Sequence, residues 1–245
     1  MSIDLLVVLV AVLWGAAAGA LLPRAAYRFS APAGEAWRGR CPRSHPVRGW
    51  LGPARCGQCP ADEASYGPRP ALLATVTALV CAALAAATGT RPELAVWLLL
   101  APVGVLLAVV DLRVRRLPDP LTLPLAGAAL ALLGLIALVP EHAGQWTTAV
   151  LGALALGAGY GVLFLINPAG MGLGDVKLAL SAGAVLGWYG WPTVMLGTFA
   201  GFLLGALYGG ALVVTRRAGR RTAIAFGPFL IAGAFLGVLA GAYAA

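Results

Sequence analysis

The stretch Leu94-Ala-Val-Trp-Leu-Leu-Leu-Ala-Pro-Val-Gly-Val-Leu-Leu-Ala-Val-Val110, followed at once by Asp111-Leu-Arg-Val-Arg-Arg116, decides the fold. Its first 17 residues carry no charge, and then a carboxylate and three arginines arrive together. A helix needs roughly 17–25 mostly apolar residues to cross the hydrocarbon core of a bilayer. An abrupt basic boundary marks the side on which such a helix ends. Working outward from this run, the same rule finds Ala71–Thr88 and Ile3–Leu22 before it. After it come Leu121–Val139, Thr147–Ile166, Val176–Gly187, Thr193–Thr215 and Ile224–Tyr243. The sixth of the eight, Val176–Gly187, is the shortest.

The composition agrees. Of 245 residues, 60% are hydrophobic and 11% charged, and the mean hydropathy is +0.89. A soluble domain carries roughly a quarter charged residues. These values exclude a disordered chain, a soluble enzyme and an ordinary nucleic-acid binder. They predict an all-α polytopic membrane bundle of about eight transmembrane helices, with the lipid bilayer as its first partner.

Lys plus Arg is 17 against 9 Asp plus Glu. With the amino terminus outside and the spans alternating, 16 of those 17 cations fall on one side, in the loops holding Arg24–Arg69, Arg113–Arg116, Lys177 and Arg216–Arg221. Arg91 alone falls on the other. Cytoplasmic loops are the basic ones, so both termini are expected outside. Asp4 precedes the first span, and Arg24 and Arg28 follow it. A cleaved signal peptide has the opposite polarity, so the first span reads as a retained anchor. Three segments result: an anchor over 1–22, a cytoplasmic loop over 23–70 and a transmembrane catalytic domain over 71–245. The loop is rich in Arg, Pro and Gly and too poor in aliphatics to build a core of its own.

Two spans carry a glycine at every fourth residue: Gly197, Gly201, Gly205 and Gly209, then Gly233, Gly237 and Gly241. Such stripes let helix backbones approach closely, and they read as packing.

Carboxylates at a membrane boundary are costly and therefore informative. Asp111, Asp119 and Asp175 lie at the expected inside ends of spans. Asp119 precedes Pro120 and reads as an ordinary helix start. Asp175 also opens a span, so capping is its bland alternative. Asp111 stands where a helix ends, facing the negative end of the dipole, and no capping preference asks for it. Its bland alternative is a solvated charge offset by Arg113, Arg115 and Arg116. Joined, Asp111 and Asp175 form the equipment of aspartyl peptide hydrolysis. Two carboxylates sharing a site hold one proton between them, so one acts as base toward water and the other polarises the scissile carbonyl. Helix dipoles assign the base to Asp175 and the acid to Asp111. The glycines of Gly170-Met-Gly-Leu-Gly174 leave room for an extended peptide beside Asp175. Gly172, Gly174, Asp119 and Lys177 are the candidates for supporting the site or the substrate.

The chain resembles the type IV prepilin peptidases, bifunctional leader peptidases and N-methyltransferases. The resemblance rests on Asp111-Leu-Arg-Val-Arg-Arg-Leu-Pro-Asp-Pro-Leu-Thr-Leu-Pro124, Gly170-Met-Gly-Leu-Gly-Asp-Val-Lys-Leu178 and Phe226-Gly-Pro-Phe-Leu230, with a looser match over Gly15–Arg28 and Gly34-Glu35. It implies that Asp111 and Asp175 are catalytic. It implies cleavage of a basic leader from prepilin or pseudopilin precursors, at the cytoplasmic face of the inner membrane. It implies no cofactor for cleavage, and for many members S-adenosylmethionine-dependent methylation of the new amino terminus. The usual loop has two C-x-x-C pairs. Here Cys56-Gly-Gln-Cys59 is intact, the first pair reads Cys41-Pro-Arg-Ser44, and the segment between is shortened. These departures bear on methyl transfer and leave the aspartate motifs untouched.

Disulfides are not expected on a reduced face. Two thiols two residues apart suit a tetrahedral zinc, which takes four ligands. Cys41, Cys56 and Cys59 with His45 make a Cys3His set; a metal-free loop is the alternative. Cys81, inside a span, reads as a packing residue, and His142 as an exposed loop residue. Two other classes compete: a transporter binding a cation at its boundary aspartates, and a catalytically silent scaffold for pilin-like helices. The first wants charges near the bilayer midplane, and the spans have none.

Overall fold

The computed structural model describes residues 2–32, 34–168, 170–216 and 224–245. Eight helices follow in order: α1 Ile3–Phe29, α2 Pro70–Thr88, α3 Leu94–Val114, α4 Asp119–Ile136, α5 Trp146–Ile166, α6 Leu173–Trp188, α7 Trp191–Val214 and α8 Gly227–Ala244. No strand is present among the described residues, so the chain is an all-helical, multi-pass membrane protein. Seven helices are long and apolar enough to cross a bilayer. Apolar side chains face outward along them, Leu165 at 76% exposure and Val214 at 82%. That outward face suits acyl chains and would be expensive in water.

The remaining helix, α6, has 16 residues, about 24 Å at 1.5 Å per residue. The hydrocarbon core is ~30 Å thick. The expectation of a short sixth span holds, and its surroundings explain how it is tolerated. α4, α5, α7 and α8 all pack on it, and ten of its residues are buried, Leu178, Leu186 and Trp188 among them.

Ends agree with the sequence reading within three residues, except at two places. α1 runs on past Leu22 to Phe29, and α3 past Val110 to Val114. Polar side chains stop a hydropathy count but not a hydrogen-bond ladder. The backbone N–H of Arg115 still donates to the Asp111 carbonyl, at 2.8 Å.

The chain divides into two compact units, one of residues 1–90 with 97–116, the other of 91–96 with 117–245. In the first unit, α1 lies on α2 through Gly15 and Gly19. A Cβ on Gly15 would stand 2.7 Å from the Thr77 carbonyl oxygen, and one on Gly19 2.4 Å from that of Leu73. Pro102 inside α3 has no N–H, so it leaves the Leu98 carbonyl without its helical donor. The indole N–H of Trp14 on α1 supplies that bond at 2.8 Å.

The loop after α1 finds its core in aromatic side chains. Phe29 packs against Trp37 and Trp50, with ring centroids 5.2 and 4.7 Å away, and Tyr27 against Tyr66 at 4.6 Å. Arg24 and Arg28 donate to the carbonyls of Arg48 and Gly49. Because α1 continues beyond the apolar run, its last two turns serve as the floor for a segment that cannot fold alone.

In the second unit, α5 and α6 meet at Gly152 and Gly183. A Cβ on Gly183 would stand 2.2 Å from the Gly152 carbonyl oxygen. The glycine stripes of α7 and α8 face each other as the spacing requires, and a Cβ on Gly233 would stand 2.3 Å from the Gly197 oxygen. Of the expected cytoplasmic cations, Arg217, Arg220 and Arg221 lie outside the described residues.

Candidate active site

Asp175 is the third residue of α6, in its first turn rather than at its cap. Gly172 holds the cap position, and the two residues bond reciprocally. The Asp175 N–H donates to the Gly172 carbonyl at 3.0 Å. The Gly172 N–H donates to Asp175 Oδ2 at 3.2 Å. A glycine cap offers no side-chain acceptor, so the carboxylate reaches back to close the first turn. Asp175 is buried, at 8% exposure, and one of its oxygens is fixed in place. Gly174 lies against Leu117, where a Cβ would stand 2.8 Å from that side chain.

Asp111, in the other unit, lies in the last turn of α3 and is buried at 4% exposure. It does not end the helix, as expected from the apolar count; three more residues follow it within α3. That burial counts against a freely solvated charge at this position.

Asp119 departs from its expected role. It is not the cap of α4; Pro118 is, and no side-chain bond closes that end. Its carboxylate instead accepts from Lys177 Nζ, on the second turn of α6, at 2.7 Å. The N–H groups of Leu121 and Thr122, which a cap at Asp119 would bind, donate to the Pro118 carbonyl instead, at 3.0 Å each, so the carboxylate is free to seek a cation. The pair joins the beginnings of α4 and α6.

Two residues of the second unit were missed. Tyr160 on α5 is fully enclosed, and its hydroxyl has no hydrogen-bond partner among the described residues. Its ring stacks on Phe202 at 5.7 Å and lies 6.1 Å from Phe226, which gives the Phe226-Gly-Pro motif a place in the fold. Glu93 is wholly buried at the opposite end of α6, accepting from the Ala143 N–H at 3.3 Å and the Tyr189 hydroxyl at 3.4 Å. Tyr160 carried a sequence signal, a hydroxyl in an apolar span; Glu93, beside Pro92, carried none. His142 is half-buried rather than exposed, with its ring 5.6 Å from that of Trp188.

In the loop, the expected ligands converge. The donor atoms of Cys41, His45, Cys56 and Cys59 all lie within 4.8 Å of one another. Each pair sits on a tight hairpin. One is closed by the bridge Arg40–Pro46, with Ser44 in the left-handed region at φ 65°, and the other by Arg55–Ser65. Cys41 Sγ stands 3.8 Å from Cys59 Sγ, and His45 Nδ1 stands 3.6, 3.5 and 3.3 Å from Cys41, Cys56 and Cys59. A tetrahedral zinc with bonds near 2.3 Å to sulfur and 2.0–2.1 Å to nitrogen needs edges of about 3.8 Å and 3.6 Å. The residues fit such an ion. Crowding leaves its mark on the thiols: burial and the neighbouring Cys56 and Cys41 push Cys59 up to about 12, while the backbone N–H of Gln58 holds Cys56 below its ordinary value. Ser44, which replaces the usual second cysteine, takes no part; His45 beside it does.

Residues 94–210 match the type IV leader peptidase family. That range holds both aspartates. Among curated proteins, the chain is similar to the prepilin leader peptidase/N-methyltransferase of Aeromonas salmonicida (strain A449), 34% identical over 225 residues, covering 83% of this chain and 72% of the relative. The proteins of the same name from Pseudomonas aeruginosa and Bacillus subtilis (strain 168) are 32% identical over 82% of the chain and 33% over 72%, spanning 71% and 70% of those relatives. No solved structure matches. A buried aspartate near the end of α3, a second one opening α6 and relatives matched across most of their length agree: the chain belongs to the type IV leader peptidase family of enzymes.

Proposed function

We propose that this protein is a membrane aspartyl endopeptidase that removes the leader from type IV prepilin or pseudopilin-like precursors at the cytoplasmic face of the inner membrane, using Asp111 and Asp175. The observation that carries the reading is the burial of both aspartates within the stretch that matches the family. A buried carboxylate without a chemical task is a cost that membrane helices rarely carry.

The two groups share one proton. The ionised one takes a proton from water as the oxygen attacks the scissile carbonyl carbon. The protonated one donates to the carbonyl oxygen. The tetrahedral intermediate then collapses: the aspartate that took water's proton passes it to the leaving nitrogen, the C–N bond breaks, and a hydroxyl of the intermediate returns its proton to the other aspartate. Asp175, with one oxygen held by the Gly172 N–H at a helix start, suits the ionised role. Gly172 leaves space beside Asp175 for the extended peptide, Gly174 supports the site by letting Leu117 pack on the start of α6, and the Asp119–Lys177 pair holds the α4 and α6 ends together. The transmembrane region 71–245 carries this chemistry. Cleavage is tested on membranes holding the full-length enzyme and a prepilin: loss of the leader is expected, and its persistence with wild-type enzyme overturns the reading.

The loop is proposed to hold one structural zinc on Cys41, His45, Cys56 and Cys59, supported by the edge lengths above. Bound there, zinc would offset two of the three thiolate charges, and its four ligands would tie the two hairpins together. Methyl transfer from S-adenosylmethionine to the new amino terminus is the second reading, supported by the relatives' names. Mass spectrometry of the cleaved product decides it by the presence or absence of the added methyl.

A further inference from the structure

We propose that the loop face above the end of α1 holds a binding site for a phosphate-bearing anion, the phosphodiester of an anionic lipid headgroup or a soluble phosphate. Four observations carry it. A cavity of about 370 Å³ opens between the two hairpins, with Arg24, Arg48 and Arg55 in its wall and Gln58 and Tyr66 beside them. No carboxylate lines it. Arg24 in its wall donates to backbone carbonyls, of Arg48 and Pro53, and its Nε is buried with no hydrogen-bond partner among the described residues. Among the described residues, the loop's one ion pair joins Arg43 to Glu63, outside the cavity. Cations held only by neutral carbonyls keep their full charge, and partly removed from water they call for an anion. Guanidinium groups favour phosphate, which accepts from two N–H groups at once. The position adds to this. Arg24 is the second residue beyond the apolar run, at the depth where a lipid headgroup begins. The methyl donor of the relatives is a poor occupant, because S-adenosylmethionine is a net cation. The site is independent of the peptidase reading and holds whether or not the aspartates cleave peptides.

The test is native mass spectrometry of the full-length, detergent-solubilised protein. The probes are dioleoylphosphatidylglycerol, dioleoylphosphatidylcholine, and glycerol 3-phosphate. Arg48→Gln/Arg55→Gln alters only exposed side chains. Arg69→Gln, an exposed arginine outside the cavity, is the control. We expect phosphatidylglycerol to be retained over phosphatidylcholine, with at least a fivefold loss in the double variant and no change in the control. Saturable binding of glycerol 3-phosphate that needs the same two arginines, without a lipid preference, also supports the site and places its ligand in solution. Arg48→Lys/Arg55→Lys, which keeps the charge, should recover part of the binding, and this separates lost charge from a damaged loop. Binding of every probe unchanged in the double variant, or an equal loss in the Arg69 control, overturns the proposal.

Discussion

At the scale of single residues, what matters is which carboxylates are buried and what holds them. Asp111 and Asp175 are enclosed, while the side chain of Asp119 is 60% exposed and paired. Asp111→Asn and Asp175→Asn keep side-chain shape but cannot share a proton. Each is expected to lower cleavage by at least a thousandfold, on the order of what removal of one member of a catalytic pair costs, with the variant still present in membranes. Cleavage at the wild-type rate by either would end the aspartyl reading. Asp119→Asn should behave otherwise. An exposed ion pair contributes ~0–1 kcal/mol, so a loss of a few-fold at most is expected, matched by Lys177→Met. A double-mutant cycle on thermal stability should return a small coupling. A loss at Asp119 equal to that at Asp111 would give it a direct part in the chemistry.

At the scale of helices, close approach is set by glycine. Gly183→Ala drives a Cβ toward the Gly152 backbone, which cannot swing aside as a side chain would. It should destabilise the protein by more than about 2 kcal/mol, in the range of overpacking penalties, and lower the yield of folded enzyme. Gly159→Ala, on the same α5, meets nothing within 4 Å and should be neutral or stabilising by up to ~1 kcal/mol through helix propensity. Equal effects of the two would show that α5 and α6 are not pressed together. Helix number, order and most boundaries were legible from hydropathy because a bilayer imposes a length. The α7 and α8 stripes were legible from their period of four. Hydropathy failed where polar residues continue a helix, at Arg24–Phe29 and at Asp111–Val114. It also misassigned Asp119, whose partner 58 residues away along the chain is set by packing, not by local capping. The cluster of Cys41, His45, Cys56 and Cys59 was legible because two thiols two residues apart suit a metal, and such a site wants four ligands. The buried Glu93 was not, since an acid beside Pro92 looks like any loop residue.

At the scale of the whole molecule, charge and the proposed zinc site would organise what packing does not. If both termini lie outside, reporter fusions after Arg55 and Arg116 should read cytoplasmic and one at Glu141 external; a single reversal breaks the proposed topology. The purified protein should contain about one zinc per chain, as a four-ligand site requires, and Cys56→Ser/Cys59→Ser should contain essentially none. Because Cys59 in the metal-free loop holds its proton up to about pH 12, adding zinc to chelated protein at neutral pH should release protons. Affinity should fall as pH falls, since acid returns those protons to sulfur. Proton release of zero on binding would exclude thiolate ligation. One consequence of the short α6 reaches beyond the protein. A helix wrapped by α4, α5, α7 and α8 touches protein rather than acyl chains, so a thicker or thinner bilayer strains the long outer helices first. The segment carrying Asp175 is insulated from that mismatch. Lipids with longer or shorter tails should change how the protein tilts and associates well before they change the geometry around that carboxylate.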